Sequence, residues 1–134
     1  MNVVIDTHVW IWWIEDDQRH VALARHLDAM GAGAIGLSAI STWEVALKAR
    51  RVGPGALQLS RPINDWLEVA RRPAPLRLLP VTDEIAIAAA SLPAGAPADP
   101  ADRFIIATAL VHNVPLLTHD ARVLAFAGVE HYRP

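Results

Sequence analysis

Apolar residues along this chain fall into blocks of two kinds. Val3-Val4-Ile5 is a short run without alternation, which predicts a central strand covered on both faces over residues 2–6, and the runs around Ile35-Gly36-Leu37 and Leu116-Leu117 predict strands over 34–38 and 114–118. A fourth strand is predicted over residues 76–81, and a last, peripheral one over 128–132. Between them the apolar positions recur at helical spacing. Val21, Leu23, Ala24, Leu27 and Met30 mark a helix over 18–30, opened by Asp16-Asp17 and stopped by Gly31-Ala32-Gly33. Ile63, Trp66, Leu67 and Val69 mark another over 62–72, broken by Pro73 and Pro75. Thr7 is the expected cap of a short helix over 8–14, and Thr82 of one over 84–91. Ser41-Thr42-Trp43-Glu44 reads as a capping box whose helix runs to Arg51 and ends at Gly53-Pro54-Gly55. Strands alternating with helices predict one α/β domain over residues 1–134, with a mainly parallel sheet of about five strands flanked by helices.

The helix after the proline-rich loop 92–100 organises the rest. Asp99 reads as its N-cap, Pro100 as its first residue, and Asp102 lies in its first turn. From Phe104 to Val111 only Thr108 is polar, so the body is expected to be buried nearly all round. Three further acids take similar positions: Asp6 ends the first strand, Glu44 begins the helix after the second, and Asp120 follows the last central strand. In an open parallel sheet, ligands bind beyond the carboxyl ends of the strands, so all four belong on one edge. Each also has a plain structural role as a turn residue or cap. Two carboxylates about 5 Å apart repel by roughly 3 kcal/mol at an effective dielectric of about 20. Four together call for a counter-ion or for protonation. Oxygen-only ligands point to a hard ion, Mg²⁺ or Mn²⁺, and such ions serve phosphoryl chemistry.

Composition narrows the classes. The 134 residues are 53% hydrophobic and 19% charged, which fits a globular domain with its own core. A net charge of −2 gives no global pull toward a polyanion, which would have to be held by a local patch or through bound cations. The absence of cysteine excludes disulfides, thiolate zinc sites and cysteine nucleophiles. The six histidines show no metal-ligand spacing. The amino terminus makes a poor signal peptide and no stretch is apolar enough to span a membrane, so a cytoplasmic protein is expected.

The segments Val4-Ile5-Asp6-Thr7-His8, Ser41-Thr42-Trp43-Glu44-Val45, Asp102-Arg103-Phe104-Ile105-Ile106-Ala107-Thr108-Ala109 and Leu117-Thr118-His119-Asp120, in this order and spacing, resemble a PIN domain. The nearest likeness is to VapC-type toxins of type II toxin–antitoxin pairs, and it extends from residue 2 to about 132. The resemblance implies a PIN-like three-layer sandwich and a Mg²⁺-dependent ribonuclease, with Mn²⁺ as a substitute. It implies metal-site and catalytic roles for Asp6, Glu44, Asp102 and Asp120, and a supporting role for Thr118. It also implies an RNA substrate, a cognate antitoxin, a homodimer and a larger toxin–antitoxin complex.

Asp99 can ligate through water, cap its helix, or accept from Arg103; it ranks as a supporting residue. Eleven of the twelve cations are arginine, suited to phosphate. Lys48, Arg103 and His119 are candidate RNA contacts, with solvated faces and an ion pair such as Glu44–Lys48 as the plain alternative. Trp10, Trp12 and Trp13 are read as core or interface before base stacking. Haloacid-dehalogenase-type phosphatases want an aspartate where His8 stands, and no phosphate-loop glycine pattern is present. The competing class is a non-catalytic α/β interaction module whose acids are only helix caps.

Overall fold

The computed structural model describes all 134 residues. Strands β1 (Val3–Ile5), β2 (Ile35–Ser38), β3 (Leu76–Leu79) and β4 (Leu116–Leu117) form one sheet in the order β3-β2-β1-β4, with every pairing parallel. Successive side chains of a strand point to opposite faces, and the core divides accordingly. Val3, Ile5, Ile35 and Leu37 pack under α1 (Thr7–Ile14), α2 (Val21–Asp28) and α4 (Ile63–Ala70). Val4, Leu79 and Leu116 pack on the other face with Ile105, Ile106 and Ala109 of α6 (Pro100–Val111) and Val123 of α7 (Ala121–Leu124). The remaining helices are α3 (Ala39–Ala49) and α5 (Asp83–Ala90), the latter seated on α6 through Ile85, Ala89 and Ala107. The result is three layers. No helix is long and apolar enough to cross a membrane.

Two buried indoles anchor the first layer. Trp10 and Trp66 meet edge to face at 4.9 Å, and each buries roughly 150–250 Å², about 4–6 kcal/mol at ~25 cal/mol per Å². Their N–H groups are satisfied: Trp10 donates to the Ala70 carbonyl at 3.0 Å and Trp66 to Glu15 Oε1 at 2.5 Å. The same Glu15 oxygen accepts from Ser60 N and Oγ, so one carboxylate pins the 50–62 segment to the end of α1.

Local detail departs from the sequence expectation in four places. The sheet has four strands rather than about five. Residues 128–132 contribute only a parallel bridge of His131 to Leu116, because β4 is two residues long: Pro115 has no N–H to give, and Thr118 turns into the site. Asp6, not Thr7, caps α1. The helix over 18–30 is split, because Asp17 caps a 3-10 turn at Gln18–His20 before α2 begins. Finally, α3 starts at Ala39 under a Ser38 cap, so the Ser41–Glu44 capping box does not form and both side chains are free for other partners. For α6 the start is as expected, with Asp99 the cap and Pro100 the first residue; its body is buried from Ile105 to Ala109, but Phe104 and Val111 are only half-buried and Leu110 is exposed.

Gly36 in the middle of β2 is a close-approach position. A Cβ there would lie 2.5 Å from Met1 Sδ and 2.8 Å from Leu79 Cδ1. Gly36→Val is expected to overpack the sheet, costing about 1–3 kcal/mol. The check is a thermal or urea melt of the variant against the parent.

Candidate metal centre

The chain lays β1, β2 and β3 outward in one direction and then returns to the other side of β1 for β4. The point of reversal, between the carboxyl ends of β1 and β4, is where an open parallel sheet leaves a crevice. Asp6 follows β1 at this point and Asp120 follows β4 by three residues. Thr118 closes the gap between them. Its hydroxyl donates to Asp6 Oδ2 at 2.7 Å and accepts from the Asp120 N–H at 3.1 Å. The other Asp6 oxygen accepts from the Thr7 N–H at 2.8 Å, so this buried carboxylate is held at both oxygens.

The remaining acids arrive from the flanking helices. Thr7 Oγ1 lies 2.6 Å from Glu44 Oε1 and 2.9 Å from Ser41 Oγ. With one proton to give, Thr7 donates to the carboxylate and receives the serine's. Glu44 Oε2 accepts from Lys48 Nζ at 3.2 Å, one helical turn on. Asp102 enters from the first turn of α6, its backbone N–H taken by Asp99 Oδ1 at 3.2 Å. Asp6, Glu44, Asp99, Asp102 and Asp120 thus line one pocket of about 140 Å³, together with Thr7, His8, Ile11, Lys48 and Arg122.

The sequence reading is met unevenly. Its four principal acids and its supporting residue Asp99 share this pocket, with Thr118 behind Asp6; Lys48 reaches it too. Arg103 does not. Its guanidinium is spent on the carbonyls of Ala89 and Pro97, at 3.1 and 3.2 Å, where it ties the loop before α6 to α5. His119 is exposed and does not line the pocket; its backbone N–H donates to His8 Nε2 at 2.9 Å, which sets its ring beside that of His8. Arg122, Thr7 and His8 were not anticipated. For Arg122 the signal was its place two residues after Asp120, where its guanidinium reaches Asp120 Oδ2 at 3.4 Å and Asp102 Oδ2 at 4.0 Å. Capping accounts for Asp6, Asp99 and Asp120, which all accept backbone N–H groups at helix starts. Neither Glu44 nor Asp102 caps anything with its side chain, so a cap-only reading leaves two half-buried acids unexplained.

Five carboxylates face two cations here, and the imbalance falls on Asp102. Its pKa is pushed up to about 7 by burial first, then by the charges of Asp6, Asp99, Asp120 and Glu44. For Asp120 burial acts upward, but hydrogen bonds from the Arg122 side chain and from the Arg122 and Val123 N–H groups outweigh it, and its pKa is lowered. Burial lowers His8, against the pull of Asp6, so its imidazole adds no charge at neutral pH. An oxygen-only donor set with surplus negative charge fits a hard divalent cation. Asp6, Glu44, Asp102 and Asp120 are the residues that would hold it. No three acidic or histidine side chains stand close enough to form a closed ligand set by themselves. A divalent ion held here would draw on water for the rest of its shell.

Comparison with known proteins bears on the family and the fold. The family model of the PIN domain matches residues 3–129. Ribonuclease VapC22 of Mycobacterium tuberculosis is 34% identical over 133 residues, covering 99% of this chain and 95% of that protein. A toxin–antitoxin complex from Klebsiella pneumoniae contains a chain of the same fold, with a TM-score of 0.67, 18% identity, and coverage of 95% of this chain and 93% of that one. Mycobacterium tuberculosis VapC20, described as a sarcin–ricin loop cleaving toxin, shares the fold at a TM-score of 0.67 and 19% identity over 99% of this chain and all of that one.

The strained charge has a measurable consequence. Between about pH 4 and 7 the folded protein keeps a proton on Asp102 that the unfolded chain has released, so its contribution to stability falls as pH rises through that window. In chelator, the melting temperature is expected to decline from this group over pH 4–7 and Asp102→Asn to remove that decline. Divalent ion at about 100 times its Kd is expected to add about 2.7 kcal/mol, several degrees in Tm, to the parent, and less to the variant. Thermal melts in chelator and in Mn²⁺ across that pH range test both.

Proposed function

The chain belongs to the PIN-domain family, and on that premise we propose that it is a metal-dependent ribonuclease of the VapC type, the toxin of a type II toxin–antitoxin pair. The observation that carries the reading is the convergence of Asp6, Glu44, Asp102 and Asp120, from four separate parts of the chain, at the switch point of the sheet with charge left uncompensated. Mg²⁺ is the ion proposed, with Mn²⁺ able to replace it, because Mg²⁺ takes few carboxylates and retains water. When bound, the ion supplies a nucleophile at neutral pH and stabilises charge on the oxygens of the phosphodiester.

The protein's own residues do the rest. Asp6 is the fixed member, since Thr118 and the Thr7 N–H hold its two oxygens. Asp102 is carried on a helix whose body is core, which keeps its position while its charge is being neutralised. Lys48 and Arg122 stand at the rim, paired loosely enough with Glu44, Asp120 and Asp102 to turn toward a phosphate. The neutral His8 is not needed as a general base. Residues 1–134 act as one domain. The partner is an antitoxin, in keeping with a structural relative solved as a toxin–antitoxin complex, and the assembly is a homodimer within it. A ribonuclease of this kind works in the cytoplasm, where its RNA is.

Purified, antitoxin-free protein is expected to cut structured RNA with Mg²⁺ or Mn²⁺ and not in chelator. Asp102→Asn is expected to lose more than about 100-fold in rate. Thr118→Val, which frees one oxygen of Asp6, is expected to lose about 10- to 100-fold, the range typical of groups that orient a ligand. Cleavage that survives both chelation and Asp102→Asn would overturn the reading.

A further inference from the structure

Beside the acid pocket stands a group of four aromatic rings that the proposed chemistry leaves unused. The His20 imidazole lies parallel on the half-buried indole of Trp12, with 3.7 Å between centroids and 7° between planes. His119 meets both of them edge-on, at 5.2 Å from Trp12 and 5.7 Å from His20. His8 leans on Trp12 at 4.8 Å. These rings come from α1, the 3-10 turn and the loop after β4, and the bond from the His119 N–H to His8 Nε2 locks two of those segments together.

Packing alone is a poor account of this arrangement. An aliphatic side chain would cover the flank of Trp12 without desolvating polar ring edges. Metal binding is a poor account as well, since His8 Nε2 is already engaged by the His119 N–H. His8 belongs to both neighbourhoods: it lines the acid pocket, with Nδ1 3.8 Å from Asp6 Oδ2, and it is one of the four rings. The rings therefore begin where the carboxylates end. On their outer side, exposed His119 borders a cavity of about 350 Å³ with His26, Leu23, Ala22 and Pro134.

Resting on the ribonuclease reading, we propose that Trp12, His20 and His119 form a nucleobase subsite, on which a base of single-stranded RNA next to the scissile phosphodiester stacks. The base enters the cavity against the exposed face of His119, whose ring is held from behind by Trp12 and His20. Recognition of an unstacked base by aromatic and imidazole rings, with ring edges free to hydrogen-bond its polar edge, is the usual chemistry of single-strand binding. It also suits a protein without global positive charge, because stacking supplies affinity that does not depend on phosphate contacts.

The test is anisotropy of fluorescent 12-mer probes in Mn²⁺, with Asp102→Asn as the background that stops cleavage. One probe is oligouridylate, one oligoadenylate, and one an abasic ribose–phosphate chain. The double variant His20→Ala/His119→Ala is expected to bind the base-bearing probes about 5- to 150-fold more weakly and the abasic probe as before. His119→Phe, which keeps a stacking ring, is expected to restore most of the loss, and unchanged thermal melts check that the fold is intact. Equal weakening on all three probes, or none on the base-bearing ones, overturns the subsite. So does normal RNA binding with lost capture of the cognate antitoxin, which would assign the rings to a protein. A parent protein that neither cuts nor binds any RNA sinks the ribonuclease reading and the subsite with it; a parent that cuts, beside indifferent variants, sinks the subsite alone.

Discussion

Mutual repulsion of carboxylates at the end of β1 is the constraint to which the rest of the structure answers. Five acids in a pocket of about 140 Å³, with Lys48 and Arg122 as the only cations, are tolerable only if something holds each one in place. The scaffold does so by different means. Asp6 is fixed by hydrogen bonds to both oxygens, Glu44 by Thr7 and Lys48, and Asp120 by the start of α7. Asp102 has no such anchor on its side chain and is held by the burial of the helix behind it. Burial, with the charges of the surrounding acids, pushes its pKa up to about 7.

The sequence made the skeleton of this site legible because most of it is local. Strand ends and helix starts are written in short runs, and three of the four principal acids stand next to a recognisable strand or proline cap. Glu44 lines the pocket from a helix that starts earlier than its local pattern suggests. The serine three residues before it suggested a capping box, but Ser38 caps the helix one turn earlier, and Glu44 instead reaches Thr7 across 37 positions. Such a contact depends on how α1 and α3 pack and leaves no local trace. The same limit separates two arginines. Arg103 and Arg122 both sit near an acid at a helix start, yet one is consumed by the carbonyls of Ala89 and Pro97 and the other turns into the pocket. The missing fifth strand has a plainer cause, in that a two-residue β4 offers too little ladder to extend.

The sequence offers His119 as a candidate RNA contact and base stacking as a minor reading of Trp12, but not their assembly with His20. Trp12, His20 and His119 are polar-edged residues on three unrelated segments, and only the return of β4 beside β1 brings the third to the first two. The fold thus uses one topological event twice: it joins Asp120 to Asp6 through Thr118, and it sets His119 beside His8 through a backbone hydrogen bond. A register error in β4 would damage both.

Capping and ligation are commonly treated as rival explanations for an acid at a helix start, and here they are compatible. A carboxylate has two oxygens with about four acceptor positions. Asp6 spends Oδ1 on the Thr7 N–H and keeps Oδ2, with one hydrogen bond from Thr118, at the pocket. Asp120 spends Oδ1 on two backbone N–H groups and turns Oδ2 toward Arg122. The cap fixes the rotamer, and the fixed rotamer aims the free oxygen. Precise placement of like charges costs stability only through their repulsion, because the bonds that orient them also satisfy donors the helix would otherwise leave unpaired. A site built on caps is in this sense a cheap one for a small domain to maintain.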